Sequence, residues 1–292
     1  MSIELGTPGV EGLVEAVHGM RPWPRDGMPV QLHPGDLGWN WSHGAEATAA
    51  AVRTWHRDGR LVAVGLLDEP RVLRMAIAPE AGDDDELAQR LLGDVAQPGR
   101  GVLPAGEASV EARFGDAFRA RLAADGWGDG EAWTPLVRDL ADPVEDCGLR
   151  VEVIGADPAP ERLRDRVAVQ RASFDTSTFT EQRWRAMASG PAYTDARCLV
   201  GYDDGGAAVA TATVWAAGPG RPGLIEPLGA HRDHRGRGHG RAITLACAAA
   251  LRDLGSSSAL VCTPSANVVG VATYVSAGFR RDPDAHDLHR DA

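Results

Sequence analysis

The sequence predicts an α/β protein, of the α+β kind with mixed sheets, built as two similar halves. Three observations predict it. Short apolar runs alternate with segments of helical period along the whole chain of 292 residues. The stretch Leu224 to Arg241, LIEPLGAHRDHRGRGHGR, joins an apolar run to a glycine-rich turn and then to a helix. The succession of elements in residues 1–140 parallels that in residues 149–292.

Taken in order, Gly9 to Met20 reads as a short helix, followed by an irregular stretch carrying Pro22, Pro24, Pro29 and Pro34. Gly38 to Trp41 reads as a turn and Ala45 to Val52 as a helix, while Leu61 to Leu67 and Arg71 to Ala78 form paired strands about Asp68-Glu-Pro70. Asp83 to Val95 is expected to be helical, Ala108 to Phe114 a strand, Asp116 to Asp125 a helix ending at Gly126-Trp127, and Ala132 to Val137 a strand. Residues 141–148 form a polar connector with Pro143 and Gly148, which divides the chain into domains at 1–140 and 149–292. Beyond it, Leu149 to Ile154 reads as a strand, and Asp157 with Pro158 as the cap of a helix reaching Phe174. Thr178 to Glu181 has the spacing of a capping box and opens a helix through Ala188. Cys198 to Tyr202 and Ala207 to Trp215 are strands across a turn at Asp203 to Gly206, and Leu224 to His231 is the next. His239 to Leu254 is an amphipathic helix, Ala259 to Cys262 a strand and Asn267 to Ala277 the last helix.

Composition limits what the chain can do. A net charge of −11 is the wrong sign for a nucleic-acid binder. Every one of the 30 basic residues is Arg, a bias that fits a GC-rich bacterial genome better than a function. Cys147, Cys198, Cys247 and Cys262 show no paired spacing, so reduced thiols are expected and no metal site. The first residues lack a basic region followed by an apolar core, and no apolar run reaches the roughly 18 residues of a membrane span. The expectation is a cytoplasmic protein with no membrane partner; the oligomeric state stays open.

Chemistry concentrates in the second half. Gly236, Gly238 and Gly240 alternate with Arg235, Arg237, His239 and Arg241, so main-chain N–H groups can converge on one point with cations around them. The helix that follows adds unpaired N–H groups and a partial positive charge, which makes a phosphate cradle. A nucleotide P-loop needs Gly-Lys-Ser/Thr, and a dinucleotide site needs an acidic residue after the next strand; neither is present.

Arg235 to Gly240 fits R/Q-x-x-G-x-G/A, and Asn267-Val-Val-Gly-Val-Ala-Thr-Tyr274-Val-Ser-Ala-Gly278-Phe279 follows it after a helix and a strand. Together they resemble the two signatures of the GNAT superfamily of acyl-CoA N-acyltransferases, over about half the chain. The tandem arrangement is similar to that of mycothiol synthase-like two-domain proteins of actinobacteria. In the first half Gly126-Trp127 falls where Gly278-Phe279 falls, and Leu122 where Tyr274 falls, but the cradle position holds Glu80, Asp83, Asp84, Asp85 and Glu86. Such a run repels a pyrophosphate, so the first copy is expected to be degenerate and to shape the substrate cleft of the second.

The resemblance implies acetyl-CoA as co-substrate and a role for each position. Leu228, Gly229 and Ala230 would meet pantetheine and polarise the thioester carbonyl, an effect worth about 3–4 kcal/mol. The amides of Gly236 to Arg241 would take the pyrophosphate, and Arg232, Arg235, Arg237 or Arg241 the 3′-phosphate. Tyr274, whose ordinary pKa of about 10 keeps it protonated, would donate to the departing thiolate. Asn267 is either a contact to CoA or a helix N-cap. Glu226, in an otherwise apolar strand where burial raises a carboxyl pKa, is the candidate base, with His231 and His234 as other titratable groups nearby. The Phe174 to Trp184 segment and Trp215 are candidates for the cleft. With no Cys at a nucleophile position, direct attack by a small-molecule amine in a ternary complex is expected, the acidic balance favouring a cationic acceptor. A protein or peptide acetyltransferase and a non-catalytic acyl-CoA sensor are the alternatives. Only 13 residues follow Phe279, too few for a full pair of closing strands. The missing edge is therefore either absent or supplied by the first half, with His286 to Arg290 able to form one short strand.

Overall fold

The computed structural model of the chain describes residues 2–292. Its first half runs β1 (Ile3–Gly6), α1 (Val10–Met20), α2 (Pro34–Asn40), α3 (Ala45–Ala51), β2 (Val52–Arg57), β3 (Arg60–Glu69), β4 (Val72–Ile77), α4 (Asp85–Ala96), β5 (Ala108–Glu111), α5 (Asp116–Ala124) and β6 (Gly128–Asp139). The second half runs β7 (Arg150–Ile154), α6 (Pro160–Ser173), α7 (Glu181–Ala188), β8 (Ala196–Tyr202), β9 (Ala208–Trp215), β10 (Gly223–Ala230), α8 (His239–Asp253), β11 (Ser258–Pro264), α9 (Val268–Ser276), β12 (Arg280–Arg281) and β13 (Ala285–Arg290).

Strands β1 and β2 were not expected. β1 is only four residues at a sheet edge, and β2, VRTWHR, carries too many polar residues to stand out after an alanine-rich helix. Two caps also differ from expectation. α6 begins at Pro160 after Ala159, not at Asp157, and the cap of α7 is Thr180, whose hydroxyl accepts from the Arg183 amide at 3.2 Å, not Thr178.

All thirteen strands belong to one sheet, in the order β1-β2-β3-β4-β5-β13-β6-β11-β10-β9-β8-β7, with β12 also on β6. Each half contributes five strands in sequence, and the two middle strands are exchanged. β6 pairs antiparallel with β11 from Ser258↔Asp139 to Pro264↔Trp133, while β13 pairs with β5 from Leu288↔Val110 to Arg290↔Ala108. The edge strand beside β11 is thus supplied by the first half, and β13 closes the first half in return. The cores follow the same exchange. Leu288 packs into the apolar core of the first half, and Leu136 and Leu140 into that of the second.

α2 locks the halves together. Its start is a reciprocal cap: His33 Nδ1 accepts from the Gly35 amide at 2.9 Å, and the Asp36 carboxylate accepts from the His33 amide at 2.6 Å. With Nδ1 accepting, His33 is neutral and donates from Nε2 to the Pro222 carbonyl at 3.2 Å across the interface. Burial lowers its pKa and holds this form. Gly35 and Gly38 lie on the Trp215 side chain so closely that an added Cβ would stand 2.4 and 2.5 Å from it.

The helix starts that follow β4 and β10 occupy equivalent places and differ in what caps them. α4 is capped from within: the Asp84 carboxylate accepts from the Leu87 amide at 2.9 Å and pairs with Arg57. α8 starts at Gly238 with no side-chain cap.

Two outcomes follow. Residues 149–292 expressed alone leave the whole β11 edge unpaired and are expected to aggregate, with solubility restored by co-expression of residues 1–148, as read by gel filtration and thermal unfolding. Asp84→Ala is expected to cost about 1 kcal/mol in denaturant unfolding, the usual loss for a helix cap.

Candidate active site

The second-half cradle is built from backbone. Gly236 and Gly238 have φ of 76° and 83°, in the left-handed region that glycine occupies without steric cost. An added Cβ at either would meet nothing within 4 Å, so conformation, not space, demands the glycine. The amides of Gly236, Arg237, Gly238, His239, Gly240 and Arg241 donate to no oxygen among the described residues; the first helical bond here is Ala242 to Gly238 at 3.0 Å. Six neighbouring N–H donors at one helix start make an anion site.

The arginines around it divide sharply. Arg232 donates to the Ala172 carbonyl at 2.8 Å, Arg235 to that of Ser173 at 2.9 Å and Arg241 to that of Ser276 at 2.8 Å. These three brace the cradle against the ends of α6 and α9. Arg237 is exposed and has no partner among the described residues, and its side chain stays outside the cavity that the cradle opens.

That cavity, of about 900 Å³, runs from the cradle to Leu228, Gly229 and Ala230 and along the face of α9. It exists because β10 leaves β11. The two parallel strands pair only at Gly223↔Ala259 and Leu224↔Leu260, and β10 then continues on β9 alone, with its register shifted between Ile225 and Leu228. His231 donates to the Val209 carbonyl at 2.9 Å, so by the alternation of antiparallel pairs Gly229 also faces β9. The N–H and C=O groups of Leu228 and Ala230 therefore face the open gap. Asn267 caps α9, accepting from Gly270 at 3.1 Å and donating to Thr263 Oγ1 at 3.0 Å, so its amide is engaged at both ends while it borders the cavity.

A second cavity, of about 310 Å³, adjoins the first and shares Phe174, Leu228, Asn267 and Tyr274 with it. Glu226 lies here. Its carboxylate has no hydrogen bond or ion pair among the described residues, and its main-chain carbonyl accepts from Trp215 Nε1 at 2.6 Å. Burial, followed by the charge of Asp36, raises its pKa to about 7 against the pull of Arg74. Tyr274 is buried between the two cavities beside Phe279, and burial followed by the Glu226 charge holds its phenol protonated. Phe174 and Trp215 take different roles: Phe174 borders both cavities, whereas Trp215 is buried core. His231 and His234 lie by the cradle, their rings 5.2 Å apart, with His234 in the wall of the larger cavity and neither in the wall of the Glu226 cavity.

Much of the smaller cavity comes from the first half, and its residues were not anticipated. Asp36, Asp68, Arg74, Glu111, Arg113 and Trp133 all contribute. Arg74 bonds Asp36 at 2.8 Å and Glu111 at 3.1 Å. The usable signal was a charge inside an apolar strand, as Arg74 stands in VLRMAI. Cys262, expected as a core thiol, also borders this cavity; burial pushes its pKa up to about 11, which keeps it from acting as a thiolate at neutral pH. No group of three or more His, Cys, Asp or Glu among the described residues is placed to hold a metal, and no helix among them is long and apolar enough to cross a membrane.

Comparison with known proteins agrees with this geometry. The model of the acetyltransferase (GNAT) family matches residues 161–279. The tandem GNAT protein from the clavulanic acid biosynthesis pathway, in its form without AcCoA, superposes with a TM-score of 0.62 at 16% identity, over 99% of this chain and 98% of that one. A GNAT-family acetyltransferase from Colwellia psychrerythraea gives 0.59 at 15% identity over the full length of both chains. A GCN5-related N-acetyltransferase from Sphaerobacter thermophilus gives 0.56 at 17% identity, over 99% and 95%. No curated protein sequence matches this chain. At such identities the structural likeness is one of fold, and it extends over both halves. Residues 161–279, which hold the cradle, the strand gap and Tyr274, thus match the acetyltransferase (GNAT) family model, in a chain whose fold is that of the tandem GNAT proteins.

Proposed function

We propose that the chain is an N-acetyltransferase of the tandem, mycothiol synthase-like type, which moves an acetyl group from acetyl-CoA to a primary amine of a small molecule. The observation that carries this reading is the gap between β10 and β11: free amides stand at one end, an unpartnered carboxylate and a buried phenol at the other. The amides of Gly236 to Arg241 hold the pyrophosphate, assisted by the cations around them. The main chain of Leu228, Gly229 and Ala230 lines the path of the pantetheine arm, and the amides of Leu228 and Ala230 that face the gap stabilise negative charge on the thioester carbonyl oxygen. Asn267 fixes the start of α9 and hence the placing of Tyr274.

Glu226 takes the proton of the acceptor ammonium, and the freed nitrogen attacks the carbonyl carbon. The new C–N bond forms, the C–S bond breaks as Tyr274 gives its proton to the leaving sulfur, and the phenolate takes up the proton that the attacking nitrogen sheds on becoming an amide. A route through an acyl-cysteine is disfavoured, since the one thiol in the acceptor cavity, Cys262, stays protonated at neutral pH. A cavity of about 310 Å³ walled by both halves suits a compact acceptor better than a protein chain, and its excess of carboxylates suits a cationic one. A passive acyl-CoA sensor would have no use for a base poised near neutrality.

Three measurements test this. Calorimetry with acetyl-CoA is expected to show one site per chain, since Asp84 occupies the equivalent helix start in the first half. At saturating substrates, kcat is expected to rise with pH and level off above about 7 as Glu226 loses its proton; Glu226→Gln should abolish that inflection and lower kcat by roughly 10²-fold or more. Tyr274→Phe should reduce kcat by about 10²-fold. If neither substitution changes turnover, the assignment of base and acid is wrong.

A further inference from the structure

We propose that the first half, which has no thioester site, is the half that recognises the acceptor, and that the acceptor is a compact hydroxylated diamine. Its second ammonium is held by Asp68 and its oxygen by Arg113. This rests on the acetyl-transfer reading above and specifies its substrate.

The cavity that contains Glu226 has four carboxylates and two guanidinium groups in its wall. Two of the carboxylates are already engaged. Asp36 accepts from the His33 amide at 2.6 Å and from Arg74 at 2.8 Å, and Glu111 accepts from Arg74 Nε at 3.1 Å with Arg113 3.4 Å away. Glu226 and Asp68 remain. The one ion pair of Asp68 is with Arg74, at 3.7 Å, and its side chain is 45% exposed where that of Asp36 is 1%. One free carboxylate serves the reacting amine; the other is left for a cation that does not react.

Arg113 supplies an independent observation. Its side chain is 5% exposed, its guanidinium lies 5.3 Å from the Trp133 ring, and Nε and one terminal nitrogen have no hydrogen-bond partner among the described residues. Glu111 at 3.4 Å and Asp287 at 3.6 Å already balance its charge without giving it a hydrogen bond. These N–H groups lack an oxygen, and a small rotation of the guanidinium toward the cavity would bring them to one; in a cavity with surplus negative charge that oxygen is neutral: a hydroxyl, ether or carbonyl. An amino-acid carboxylate would meet the same surplus and be repelled.

The test is a set of four amines titrated by calorimetry into the CoA-loaded full chain: propylamine, isopropanolamine, trimethylenediamine and the central-carbon alcohol of trimethylenediamine. Acetyl-CoA is titrated first. Absence of acetyl-CoA binding overturns the acetyl-transfer reading and this proposal with it. Once acetyl-CoA binding is shown, the hydroxylated diamine is expected to bind the CoA-loaded chain about tenfold more tightly than either compound carrying one of its two features, the usual worth of a hydrogen bond to a charged group. Asp68→Asn should remove the advantage of the second amine and keep that of the hydroxyl. Arg113→Lys, which preserves the charge but not the fork of donors, should do the reverse. Equal affinity for all four amines, binding of none, or a uniform loss in both variants overturns the acceptor assignment while leaving the cofactor site intact.

Discussion

The separation of β10 from β11 is the constraint on which the remainder of the molecule depends. A strand that leaves its neighbour exposes main-chain donors and acceptors that water or a ligand has to satisfy, and the strands on either side must hold both edges in place meanwhile. β9 does this for β10, and β6, lent by the other half, does it for β11. Trp215 binds the Glu226 carbonyl at the point of divergence, and the bare faces of Gly35 and Gly38 let α2 close over that indole. The same contact brings Asp36 into the Glu226 cavity, so the packing that props the gap open also sets the charge around that carboxylate.

The two halves show how a site is lost while its frame is kept. Gly126 and Gly278 have φ of 92° and 82°, and the amides of Trp127 and Phe279 each donate, at 3.1 Å, to the carbonyl five residues earlier, that of Leu122 or Tyr274. The turns are superimposable in kind; only the phenol is missing from one. At the other end of the frame, Asp84 places a carboxylate on the helix start where a ligand anion would sit, and Arg57 neutralises it. Acidic substitution in the loop thus repels a phosphate and also takes its place.

What could be read from the sequence was what is local along it. The cradle, Tyr274 and Asn267 lie in short patterns whose spacing carries the geometry, and Glu226 stands out as a charge within an apolar strand. The cavity around Glu226 was not legible in this way. Asp36, Asp68, Glu111 and Arg113 come from three separate segments and meet only because α2 and β3 to β5 fold against the second half. The exchange of β6 and β13 was equally hidden, since both possible partners of a closing strand offer the same unpaired edge and only the completed sheet selects between them.

Trading closing strands has an implication for descent. A duplicated gene can ordinarily shed an idle copy by deletion, but here each copy wears the other's hem. Removal of the copy without a cradle would strip the other of its border, so loss of either copy unmakes the sheet of both. A surviving passenger under such protection is free to acquire new side chains at the shared boundary, and that is where the unforeseen charges of this molecule are found.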